Sequence, residues 1–134
     1  MKKTLIKVLA TVGIFLSITA LASPAQIKII NHETDIQQCK LHNIQGKILL
    51  ITSQYCHACQ EMEPRILAAI KKNNLESKLI HIHISNPKER AILNQKYHLD
   101  AFFLPTLIVN CHAFIGEKPQ GFYQQLFADY NENK

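Results

Sequence analysis

The stretch that most constrains this chain is Ser53-Gln54-Tyr55-Cys56-His57-Ala58-Cys59-Gln60. Two cysteines two residues apart stand between an apolar run and a helical pattern. The run Lys47-Ile48-Leu49-Leu50-Ile51-Thr52 is rich in β-branched and aliphatic residues and reads as a buried strand. From Cys56 onward, Met62, Ile66, Leu67 and Ile70 recur by three and four, which predicts a helix over 56–72. Pro64 inside it removes a backbone donor and should bend it. The free N–H groups and positive dipole end of such a helix stabilise a thiolate at its start. The thiolate is the nucleophile of disulfide exchange. A cysteine one turn on can attack the resulting mixed disulfide and release the partner. Cys56 is therefore the expected nucleophile and Cys59 the resolving thiol. The blander reading of C-x-x-C is half of a structural zinc site. A closed zinc site takes four N/S ligands, usually as two close pairs, and the sequence holds no second C-x-x-C.

The rest of the chain alternates strands and helices. Gln26–Ile30 reads as a short first strand. Asn31 or Thr34 caps an expected helix running through Ile36, Cys39 and Leu41 to about Asn43, and Gly46 ends the connection. Asn73-Asn74 closes the helix that follows the cysteines. Lys78–Ile84 alternates, with Ile80, Ile82 and Ile84 on one face and His81 and His83 on the other. Ser85-Asn86-Pro87 starts a helix over 88–97. Thr106–Val109 is a strand, Asn110-Cys111-His112 a tight hairpin, and Ala113-Phe114-Ile115 the returning strand. A last amphipathic helix, 120–130, is built around Phe122, Leu126 and Phe127.

Strand, Cys56, Cys59, Pro64 and the downstream Leu104-Pro105-Thr106 entering an apolar strand together resemble the thioredoxin superfamily over nearly all of the chain after its leader. The resemblance implies an α/β thioredoxin fold: three layers, α/β/α, around a central mixed sheet of about five strands. It implies that Pro105 is cis and, with Leu104 before it, offers backbone groups to an incoming peptide. Tyr55 stands where thioredoxins usually have tryptophan, on the surface around the thiols. Leu50 stands where they carry a buried acid. Oxidases and isomerases of the superfamily typically place histidine second between the cysteines. Here His57 comes first and Ala58 second, and His57 is the expected redox-tuning group, since an imidazole beside the nucleophile favours its thiolate. Family topology also brings Cys39 and Cys111 to the end of the sheet opposite the active site. A structural disulfide between them is one expectation, and two separate thiols the other.

Residues 1–22 read as a signal peptide. A basic start, Met1-Lys2-Lys3, precedes an apolar core from Val8 to Leu21, and Ala20-Leu21-Ala22 gives a cleavage signature. The apolar part is shorter than the ~20 residues of a spanning helix. Removing 1–22 takes Lys2, Lys3 and Lys7, so the formal charge falls from +5 to +2, and no basic stripe remains to suggest nucleic acid. Residues 23–134 then form one thioredoxin-like domain, expected to be monomeric, in a periplasmic or secreted setting where four cysteines can stay oxidised. The expected activity is thiol–disulfide exchange with protein thiols, with no cofactor and no metal, and with a membrane redox partner to set the direction. His81 and His83 read as half-buried strand histidines with ordinary hydrogen bonds. The rival readings are a copper-handling chaperone that uses the same cysteines, and a non-catalytic binding protein of the same fold.

Overall fold

The computed structural model describes residues 27–29, 33–37, 39–101 and 103–132. The leader read over 1–22 lies outside them. The described residues are α/β, with a mixed sheet and three helices. Its strands are β1 (Ile27–Ile29), β2 (Thr34–Asp35), β3 (Ile48–Thr52), β4 (Leu79–His83), β5 (Leu99–Ala101), β6 (Thr106–Val109) and β7 (His112–Ile115). Its helices are α1 (His57–Lys72), α2 (Pro87–Lys96) and α3 (Phe122–Glu132).

The main sheet has the order β2-β7-β6-β3-β4. β3 lies inside it, parallel to β4 and antiparallel to β6, and β6 turns back into β7. The β6–β7 turn places Asn110 and Cys111 at φ 49° and 65°, the left-handed pair of a type I′ hairpin. Every residue of β3 is buried, as its unbroken apolar run requires of a strand covered on both faces. Ile48 and Leu50 pack with Met62, Ile66, Tyr123 and Phe127, so α1 and α3 cover one face. Leu49 and Ile51 pack with Ile82, Leu93, Tyr97 and Leu99, so α2 and β5 cover the other. Two-residue alternation along β3 thus feeds two separate cores.

Helix ends follow their sequence signals. Asn86 caps α2 by accepting the Lys88 N–H at 3.0 Å, with Pro87 in the first turn. α1 closes at Asn73, and Asn74 takes the left-handed φ of 55° that suits asparagine after a helix.

One expectation is corrected. The helix expected over 31–43 is absent from the described part of that segment. Thr34 and Asp35 pair antiparallel with Ala113 and His112, and the Ile36 N–H donates to the Cys111 carbonyl at 2.7 Å. Only a 3-10 turn, Cys39–His42, follows. Thr and Asp are weak helix formers, and an unpaired β7 edge recruits Thr34 and Asp35 instead. The structure also shows a strand, β5, for which no local pattern stands in the sequence. It pairs in parallel with β1, Ile27 opposite Leu99 and Ile29 opposite Ala101, as a separate two-stranded sheet.

Candidate active site

Cys56 is the N-cap of α1, in extended conformation at φ −98° and ψ 109°. Its sulfur accepts the Cys59 N–H at 3.1 Å, which satisfies one of the donors that open every helix. Cys56 and Cys59 are joined in a disulfide, Cα to Cα 5.2 Å. Cys56 is half-buried, whereas Cys59 is buried beneath it. A partner can therefore approach the first sulfur and not the second. That asymmetry suits an attacking and a resolving thiol. The N-terminal end of α1 sits where β3 delivers it, after the turn Ser53–Tyr55.

The Leu104–Pro105 bond is cis. Ile51 pairs with Thr106, so Pro105 lies level with Thr52, at the same end of the sheet as the β3–α1 turn. The Pro105 carbonyl is already taken by the Gly116 N–H at 2.8 Å, and the Thr106 hydroxyl donates to the Phe103 carbonyl at 2.7 Å. The segment is thereby held from both sides. Tyr55, on the turn before Cys56, is 84 % exposed, and Phe103, two residues before Pro105, is 50 % exposed. Phe103 was not singled out in the sequence. Its signal was its place just before Leu-Pro, where a side chain beside a fixed loop has little to pack on.

His57 is the first residue of α1, and its imidazole is exposed. Its Nε2 lies 3.3 Å from Glu61 Oε1, one turn on. Water and this carboxylate both screen its effect on the neighbouring sulfur. Ala58 is half-buried in the first turn. Leu50 is fully buried in β3 and packs in the α1–α3 core, so no acid occupies that place.

A polar cluster lies one turn further along α1. Thr52, fully buried at the end of β3, has its hydroxyl 3.0 Å from His81 Nε2 and 3.1 Å from His83 Nδ1. The two rings stand 4.1 Å apart between centroids. Glu63 Oε1 lies 3.8 Å from His81 Nε2. Burial, and next the neighbouring His83, hold His81 below the usual imidazole range, while Glu63 and Glu89 work against the shift. Glu89 also accepts the His83 backbone N–H at 2.6 Å. Glu63 stands four residues after the buried Cys59, on the same helical face, and that spacing is the signal for its partial burial.

Cys39 and Cys111 form the second disulfide, Cα to Cα 5.7 Å, within the usual range for such a bond. It ties the 3-10 turn to the β6–β7 hairpin. Val109 pairs with Ile48, so this bridge stands at the end of the sheet opposite Cys56.

A scan against protein-family models finds no match to this chain, and a search of the curated proteins likewise finds none.

Proposed function

We propose that this chain is a thioredoxin-fold thiol–disulfide oxidoreductase, exported and acting on protein thiols or disulfides. The observation that carries the reading is the Cys56–Cys59 pair across the first turn of α1, with an accessible sulfur capping the helix and a buried one behind it. Three further features support it. β3 and β4 run parallel, and β6 and β7 run antiparallel beside them. α1 and α3 lie on one face and α2 on the other. The cis Leu104–Pro105 segment stands at the thiol end of the sheet.

In the forward reaction the Cys56 thiolate attacks one sulfur of a substrate disulfide. A Cys56–substrate bond forms and the substrate's other sulfur leaves as a thiolate, which takes a proton. Cys59, deprotonated, then attacks Cys56, closes the internal disulfide and expels the substrate's remaining thiol. Two electrons pass from the protein to the substrate. Run backwards, the same steps deliver a disulfide to a reduced protein. The helix terminus stabilises the Cys56 thiolate in either direction. Tyr55 and Phe103 offer apolar contact to an extended peptide beside Cys56. A membrane electron carrier, acting as donor or acceptor, completes the cycle.

The test is the midpoint potential of the pair in glutathione buffers, joined to turnover in insulin reduction and in oxidation of a reduced, unfolded protein. Reversible titration and turnover that vanish in Cys56→Ser are expected. Failure of the pair to exchange with glutathione at any poise rejects the reading. A well-behaved pair without turnover leaves a binding protein of the same fold.

A further inference from the structure

We propose that Glu63, His81 and His83 form a binding site for one divalent transition-metal ion of the zinc class, separate from the cysteines. The three side chains come from two elements, α1 and β4, that meet on one face of the sheet. One ring nitrogen of each histidine and a carboxylate oxygen of Glu63 all lie within 4.8 Å of one another. A tetrahedral ion with bonds of about 2.0–2.1 Å keeps its ligand atoms roughly 3.3 Å apart. The Glu63–His81 gap of 3.8 Å is already close to that, and rotation about the flexible Glu63 side chain closes the remainder.

The Thr52 hydroxyl can donate its one proton to one ring nitrogen and accept from the N–H of the other ring, so the two imidazoles are held in complementary tautomers. The group without a matching charge is the carboxylate. Glu63 is half-buried, and among the described residues its ion-pair contact is with His81 alone. At 3.8 Å that contact is longer than a hydrogen bond, and a neutral imidazole nitrogen offers the lone pair that a metal takes. A dipositive ion supplies that charge. It takes lone pairs from both rings and neutralises the carboxylate.

Two imidazoles and one carboxylate are borderline donors that suit zinc, and three protein ligands leave a fourth position open to water. His83 lines an open cleft of about 600 Å³ together with Gln54, Ser85 and Glu89. Thr52 Oγ1 faces the same His81 nitrogen that faces Glu63, so an ion bound there takes the place of that hydrogen bond. The site is close in sequence to the cysteines, through Cys59 and Glu63 on one face of α1, but needs neither sulfur.

The experiment titrates Zn²⁺ into the untagged protein with both disulfides formed, so that all four cysteines are blocked. Binding is followed by calorimetry and by the histidine ring resonances. One ion per chain is expected, with the His81 and His83 resonances shifting together. Glu63→Gln, His81→Gln and His83→Gln should each weaken binding by at least about tenfold. His112→Gln, which removes the histidine between Glu33 and Asp35, should leave it unchanged. Absence of saturable binding at micromolar Zn²⁺ overturns the proposal. So does binding that survives all three substitutions, or ring shifts confined to other histidines. The resonance readout needs no substitution, so a variant that fails to fold does not spoil the test. Thiol exchange plays no part in either readout, so this result is independent of the oxidoreductase reading.

Discussion

Thr52 shows how one side chain can organise a buried polar cluster. Its β-branched body belongs in a strand, and its hydroxyl serves two imidazoles. Thr52→Val keeps the shape and removes the oxygen, which leaves two half-buried ring nitrogens short of a partner. The expected cost is about 1–3 kcal/mol in urea unfolding, and an unchanged midpoint would show that the rings find water instead. His81 gives a second prediction. Its folded pKa lies below its unfolded value, so the folded state binds a proton less readily than the unfolded one. The stability it supports is therefore present above the unfolded value of about 6.5 and is lost as pH falls from there through the folded value. Unfolding free energy should decline between pH 7.5 and 5, and His81→Gln should make the decline shallower. An identical slope in the variant would assign the decline to other groups. His57 was expected from its position to tune the cysteine pair. Exposed and 3.3 Å from Glu61, it has little field to offer the sulfur. His57→Ala should shift the midpoint potential by less than about 30 mV, equivalent to 1.4 kcal/mol for two electrons. A larger shift would mean that the imidazole bonds the thiolate directly once the disulfide opens.

The elements that carry the cysteines were legible because each has a strong local cause. The apolar run 48–51 can only be a buried strand, and Cys56 stands where the alternation of a strand gives way to the three-four spacing of a helix. The N-terminal segment had no such cause. Its structure is decided by the β7 edge and by the bridge to Cys111, both about seventy residues away in the chain, and no local pattern records them. β5 was missed for the same reason, because Leu99–Ala101 is a strand only through pairing with β1. The Glu63–His81–His83 cluster joins a helix and a strand, and single-segment reading could place each residue but not their meeting. The Cys39–Cys111 bridge has a measurable consequence at this scale. It closes a loop with a sequence separation of 72, so it removes much of the freedom of the unfolded chain. Replacing both residues by alanine should lower stability by about 2–4 kcal/mol. The Cys56–Cys59 potential should hardly move, since that pair lies at the opposite end of the sheet. A large change in potential would show that the two ends are coupled through β3 and β6.

For the whole molecule, the two disulfides divide two tasks. The Cys39–Cys111 bridge constrains a long loop, whereas Cys56–Cys59 spans a sequence separation of 3 and constrains the unfolded chain far less. The redox state of the short pair therefore acts on stability mainly through the folded state. There the Cys59 N–H donates to the Cys56 sulfur at 3.1 Å, and the sulfur caps α1. A hydrogen bond to a full negative charge is stronger than one to a neutral disulfide sulfur. The helix end adds to the same preference. Both act in favour of the reduced, thiolate form. With Cys39–Cys111 kept intact, the protein with reduced Cys56 and Cys59 should unfold at higher urea than the oxidised protein at pH 7.5. By the thermodynamic cycle linking folding to reduction, that ranking makes the folded pair easier to reduce than the same cysteines in the unfolded chain. Such a protein gives its disulfide away. The reverse ranking would make the folded pair a better electron donor than the unfolded one.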